Sequence, residues 1–269
     1  MTQSEQKTSF PQCDTLIMLA VSSEEDALRV QAKSLGIEIN KILKHPVLGS
    51  YYSLGQVGYE RVIAVRSRVM GALAFGGSAE LASRFRQATG ATSIVQLGMA
   101  FGIDPDRQQL GDVLVSTHVI PYDHREYEEQ EKGGYDVNYQ RAQWIGAAEK
   151  TVQSLMRERS RTNTDRNFSI HFGGILSGAA IVHSQSFRDE LRTKVPAGDA
   201  PIVGGEMEGI GLLGVSENPI WCIVKGISDF ADSERDAIIE IGRPIACANA
   251  ARFLLESMLN DAAAKLAST

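Results

Sequence analysis

The stretch SIVQLGMAFGIDPDRQQLGDVLVS, residues 93–116, sets two apolar runs on either side of a glycine-bearing turn. SIVQLG (93–98) has the length and β-branched content of a buried strand, GMAFGIDP supplies the turn, and GDVLVSTHVI (111–120) resumes an apolar run that extends the same sheet. A strand that is apolar along its whole length is covered on both faces, so helices must lie above and below it.

Working outward, TLIMLAV (15–21) is a second buried strand, and EEDALRVQAKSLG (24–36) is a helix ended by Gly36. YYSLGQVG (51–58) and RVIAVRS (61–67) are two strands joined by a turn at Gly58–Tyr59. The spacing of apolar residues predicts helices over 72–90, about 141–159, 186–194, from about 208, and 236–260, with strands at 168–178, 201–205 and 220–226. The polar, turn-rich segment 121–139 reads as a loop excursion. Strands alternating with helices predict an α/β fold, a three-layer α/β/α sandwich around a twisted mixed, mostly parallel sheet. A single domain is expected over 15–269, preceded by a flexible N-terminal tail over 1–14.

The 269 residues are 43% hydrophobic and carry a net charge of −6, with Lys and Arg scattered, so no basic face suited to nucleic acid is apparent. Cys13, Cys222 and Cys247 have no metal-ligand spacing, and their odd number argues against a disulfide framework. A reducing, cytoplasmic setting fits them best. No apolar run approaches the length that crosses a bilayer, and neither a metal nor an organic cofactor is expected.

In doubly covered sheets, ligands collect where strands hand over to loops at their carboxyl ends. Four such ends carry acids or glycines: VSSEED (21–26), QLGMAFG (96–102), GGEMEG (204–209) and KGISDFAD (225–232). One acid at a helix start is more often a cap or dipole partner than a catalyst, whereas four such ends together point to a site.

GGEMEGIG, followed some twenty residues later by VKGISDFAD, resembles the nucleoside phosphorylase and nucleosidase superfamily, in particular its methylthioadenosine/S-adenosylhomocysteine nucleosidase branch. The 93–116 stretch and GGILSGAAIVHS (173–184) resemble further blocks of that family, in the same order along the chain. EMEGIGLL and VKGISDFAD also look like the nucleotide-cleaving domains of defence effectors.

The resemblance implies roles residue by residue. Glu208 would accept hydrogen bonds from the ribose 2′- and 3′-hydroxyls, with Met207 beneath the sugar and Glu206 as a neighbour in a binding or structural part. Asp229, oriented by Ser228, would protonate or hydrogen-bond the departing base, a role suited to a carboxyl whose pKa burial raises. Glu24, or Glu25 one register along, would activate water. Gly98, Met99 and Ala100 would line the substrate, and Ile181 and Val182 stand where the family stacks an aromatic on the base. Gln96 replaces the arginine with which phosphorylases hold phosphate, which favours hydrolysis over a phosphorylase reaction. Arg66, Ser67 and Arg68 could restore a phosphate site, hold the 5′-phosphates of a nucleotide, or face solvent. The implied enzyme is a purine nucleoside or nucleotide N-glycosidase, with methylthioadenosine, adenosylhomocysteine, AMP or ATP as candidate substrates. A phosphorylase and a non-catalytic nucleoside sensor are the alternatives. A homodimer or higher oligomer is expected.

Overall fold

Strand β1 (Thr15–Leu19) is buried along its whole length, with Ile17 and Leu19 in one core layer and Leu16 and Met18 in the other. That period of two is what a strand with cover on both faces requires. The computed structural model describes residues 10–45, 48–139, 145–161, 166–198 and 200–266.

Next in the chain come β2 (Asn40–His45), β3 (Gly49–Val57), β4 (Glu60–Arg66), β5 (Ser93–Gly102) and β6 (Val113–Pro121). They are followed by β7 (Glu126–Glu129), β8 (Tyr135–Asn138), β9 (Ile145–Gly146), β10 (Ile170–Ser177), β11 (Ile202–Glu206) and β12 (Trp221–Asp229). The main sheet has the order β11-β10-β6-β12-β5-β1-β4-β3-β2, with β9 beside β6. Its centre is parallel, β1 pairing with β4 and β5, and β5 with β12, while β2, β3 and β4 form an antiparallel flank. β11 also meets β5 antiparallel through Gly204 and Gly205, so five strands close on themselves. Glycine allows this approach, because a Cβ at 204 would lie 2.4 Å from the Phe101 carbonyl oxygen and one at 205 2.3 Å from the Phe101 ring.

One core layer joins the sheet to helices α1 (Ser22–Ser34), α3 (Glu149–Arg159) and α5 (Arg235–Leu266), through Leu28, Leu155 and Phe253 among others. The opposite layer packs Leu81 and Phe85 of α2 (Ser78–Thr89), and a third cluster seats Leu191 of α4 (Gln185–Lys194) against Ile120 and Leu176. The layered α/β arrangement and mixed sheet are those predicted.

Boundaries moved where glycine and polar backbone decide them. β5 continues through the expected glycine turn as far as Gly102. The helix expected over 72–90 begins only at Ser78, because the chain first folds tightly at Gly77, where a Cβ would lie 2.8–2.9 Å from three carbonyl oxygens. From 209 there is a short 3-10 turn, Gly209–Leu212, in place of a helix, since Gly209 and Gly211 weaken helix formation and the chain must re-enter the sheet at Trp221. The helix expected over about 141–159 starts at Glu149, after β9; residues 140–144 lie outside the described residues. β2 and the β7–β8 hairpin, inside the segment read as a loop, were not predicted. Of the expected tail, 1–9 lie outside the described residues, while Cys13 is buried and Asp14 accepts two hydrogen bonds from the Arg61 side chain.

α5 lies against the end of β12 because two glycines let backbone meet backbone. A Cβ at Gly226 would fall 2.1 Å from the Ala246 carbonyl oxygen, and one at Gly242 2.0 Å from that of Ser228. Gly226→Ala should therefore overpack this contact and lower stability by about 1–3 kcal/mol in urea unfolding. Gly214→Ala, with nothing within 4 Å of the added Cβ, should change it by less than about 0.5 kcal/mol. Equal effects would show that the β12–α5 contact yields freely.

Candidate active site

The carboxyl ends of β1, β5, β11 and β12 converge on a cavity of about 410 Å³, with α5 closing one side. Glu24, Glu206, Glu208 and Asp229 all line it. They come from the start of α1, the end of β11 and the turn after it, and the end of β12, and each is held by donors.

Glu24, in the first turn of α1, reaches back so that Oε2 accepts the Ala20 and Val21 N–H groups at 2.5 and 3.2 Å, while Oε1 accepts that of Met99 at 3.0 Å. Gly98 makes room for it, since a Cβ there would lie 1.8 Å from Oε1. Glu208 accepts the Gly71 N–H at 3.2 Å, and its own carbonyl accepts from Ser78 Oγ at 2.6 Å, tying Glu208 to the loop before α2 and to the start of that helix. Glu206 accepts the N–H groups of Glu208 and Gly209 and so shapes the turn that presents Glu208.

Lys225, fully buried on β12, joins these three acids. Its Nζ lies 3.1 Å from Glu208, 3.6 Å from Glu24 and 4.0 Å from Glu206. Burial alone would strip its proton, but the three carboxylates outweigh burial and hold it charged. On two of the acids the balance falls the other way. Burial, opposed by Lys225 and reinforced by Glu208, pushes Glu206 up to about 7, and the same causes raise Glu24.

Asp229 ends β12. Ser228 Oγ donates to its Oδ2 at 2.8 Å and the Ala231 N–H to its Oδ1 at 2.9 Å. Ala231 has φ +53°, a left-handed conformation that aims its N–H back at the acid. Arg235 Nε stands 3.6 Å from Oδ1, so the acid faces a cation as well as the apolar wall.

The cavity thus brings together Glu24, Met99, Ala100, Ile181, Val182, Glu206, Met207, Glu208, Ser228 and Asp229 from the sequence reading, with Gly98 just behind Glu24. It does not include Glu25, Arg66, Ser67 or Arg68, which line a separate cavity of about 350 Å³. There Glu25 accepts from Tyr52 Oη and, at 2.7 Å, from Arg66 Nε, so Glu24 is the acid of the pair that reaches the main cavity. Gln96 is buried with neither amide atom bonded and does not line the main cavity. Two lining cations, Arg235 and Arg243, escaped the sequence reading, as did Lys225, buried behind the acids. The available signal for Lys225 was one charge inside the apolar run IWCIVKGIS, which a buried strand tolerates only against acids.

The profile of the phosphorylase superfamily matches residues 16–259. The chain belongs to this superfamily. Among curated relatives, the superfamily member is 28% identical over 191 residues to a death domain-containing ATP nucleosidase of Amphimedon queenslandica, covering 62% of this chain and 34% of that one. It is 29% identical over 173 residues to a 5′-methylthioadenosine/S-adenosylhomocysteine nucleosidase of Maridesulfovibrio salexigens, covering 62% and 69%. The chain therefore spans about a third of the length of the first of these. In fold it is similar to the Neisseria meningitidis 5′-methylthioadenosine/S-adenosylhomocysteine nucleosidase bound to methylthio-immucillin-A, at TM-score 0.70 and 19% identity over 92% of this chain and 99% of that one. It is similar also to Helicobacter pylori futalosine hydrolase, at TM-score 0.68 and 19% identity over 92% and 98%.

The raised Glu206 gives a pH signature. Its ordinary value is 4.5, so between there and about 7 the folded chain keeps a proton that the unfolded chain releases. Stability should therefore be highest at the acid end of that window and fall as pH rises through it, by on the order of 2 kcal/mol. Urea unfolding from pH 5 to 7.5 should show the fall in the wild type and a flatter profile in Glu206→Gln. An identical slope in both would place the proton elsewhere.

Proposed function

We propose that this chain hydrolyses the N-glycosidic bond of a purine nucleoside or nucleotide. The observation that carries the reading is the placement of Asp229, Glu208 and Glu24 around one cavity that Met207 also lines. Cleavage leaves positive charge on the sugar and negative charge on the departing base, and the cavity has groups for both. Asp229, held by Ser228 and Ala231, faces the base and supplies the proton as the C1′–N bond breaks. Glu208, anchored by Lys225 and the Gly71 N–H, accepts from the 2′- and 3′-hydroxyls and fixes the ring. Glu24, whose burial raises its affinity for a proton, accepts one from the water whose oxygen bonds C1′. Water enters, and free base and free sugar leave.

The absence of a cation at Gln96 supports water over phosphate as nucleophile. The substrates in the names of the curated relatives, ATP on one side and methylthioadenosine or adenosylhomocysteine on the other, bracket the substrate range proposed here. Cleavage of a cellular nucleotide would be a depleting activity of the defence-effector kind, whereas cleavage of methylthioadenosine would serve salvage. The same reading includes a cytoplasmic location, a single nucleosidase domain over 15–269 and a homodimer or higher oligomer. Leu73 and Phe75, 83% and 77% exposed on the loop that donates to Glu208, support the last as apolar surface wanting cover. Light scattering at working concentration should return a mass above that of one chain.

Chromatography of purified protein with adenosine, methylthioadenosine, AMP and ATP, with and without phosphate, tests the reaction. Base release should be no faster in phosphate and should yield no ribose 1-phosphate. Asp229→Asn should lower turnover by about two to four orders of magnitude while leaving substrate binding largely intact, and Glu208→Gln should weaken ribose recognition. Full turnover in Asp229→Asn would sink the mechanism, and ribose 1-phosphate in proportion to added phosphate would make the enzyme a phosphorylase.

A further inference from the structure

We infer that Arg243 and Arg235, with the start of α1, form a subsite for a substrate phosphate, which makes nucleotides the preferred substrate class; this rests on the hydrolase reading above. The charges of the cavity are otherwise accounted for. Glu24, Glu206 and Glu208 share Lys225, and Asp229 has Arg235 at 3.6 Å. Arg243 also lines the cavity, yet among the described residues no carboxylate pairs with it, and its Nε is buried without a hydrogen-bond acceptor. A buried guanidinium donor with no acceptor carries a desolvation cost that an anionic ligand would relieve.

Position identifies which part of the substrate it meets. A ribose presents three substituents: the base at C1′, the diol at C2′ and C3′, and the 5′ carbon at C4′. Asp229 and Glu208 take the first two. Of the other lining residues, Arg243, Arg235 eight residues earlier on the same helix, and Ser22 and Ser23, which open α1, carry the cationic and hydroxyl groups. The positive end of α1 and two hydroxyl donors there favour an anion. Gly242, seated on the Ser228 backbone, fixes the height of this part of α5 above the base-side acid. Phosphate chemistry, whether borne at the 5′ position or free, suits such donors; with base and diol given to Asp229 and Glu208 in the hydrolase reading, the 5′ position is the substituent left for it.

The test compares kcat/KM for AMP and adenosine in the wild type, Arg243→Gln and Arg243→Lys, with product analysis in the presence and absence of inorganic phosphate. The ratio of AMP to adenosine should fall by about 10- to 100-fold in Arg243→Gln, with part of it restored by Arg243→Lys. Calorimetry on Asp229→Asn should show AMP binding more tightly than adenosine, a preference lost when Arg243→Gln is added. An unchanged ratio with intact turnover would overturn the subsite while leaving the hydrolase reading in place. Phosphate-dependent release of ribose 1-phosphate that disappears in Arg243→Gln would assign the site to free phosphate and overturn the 5′ placement. If the wild type cleaves nothing while Asp229→Asn still prefers AMP, the hydrolase reading fails and the subsite stands.

Discussion

A single buried ammonium holds the cavity together. Lys225 has no access to solvent, and a lysine in that position keeps its charge only because Glu24, Glu206 and Glu208 surround it. The dependence is mutual: three carboxylates within 4.0 Å of one point would repel each other without a cation between them. Because the acids come from α1, β11 and the turn after β11, and the lysine from β12, the cluster forms only when these elements have met. Loss of one partner from such a group typically costs about 3–5 kcal/mol, since it strands an uncompensated charge.

The cluster also divides labour among chemically similar side chains. Glu208 sits nearest the ammonium and accepts a backbone N–H, which suits a fixed acceptor for hydroxyls. Glu206 points both oxygens at the chain's own N–H groups and works on the shape of the turn. Glu24, farther from the cation, holds three N–H groups, and burial raises its affinity for a proton. Asp229 stands apart, with Ser228, Ala231 and Arg235 as its own surroundings.

Much of this was legible in the residues. The apolar runs 15–21, 93–98 and 220–226 became β1, β5 and β12, and the acids of GGEMEG and ISDFAD reached the same cavity. Strand and helix periods are local properties, and strand ends in such sheets gather at one edge, so these readings need no tertiary information. What failed depended on contacts distant in sequence. Arg66 and Arg68 look like anion ligands in VRSRVMG, but Arg66 is engaged by Glu25, forty-one residues away. Arg243 carries no motif and enters the cavity only because α5 packs where it does. Gly209 and Gly211 sit in a pattern that passes for the start of a helix, and backbone approach to the neighbouring α2 explains why Gly211 stays a glycine.

The backbone contact between β12 and α5 has a consequence for how a ligand is received. At Gly226 and Gly242 nothing but hydrogen separates strand from helix, so Asp229 at the strand's end and the arginines along the helix belong to one closely packed unit. Their mutual placement is settled during folding. A ligand arriving at the cavity meets a preorganised receptor on that side, and little of its binding free energy is drawn down in ordering the groups that recognise it. Discrimination between ligands then depends on fit to a fixed frame rather than on the work of assembling one.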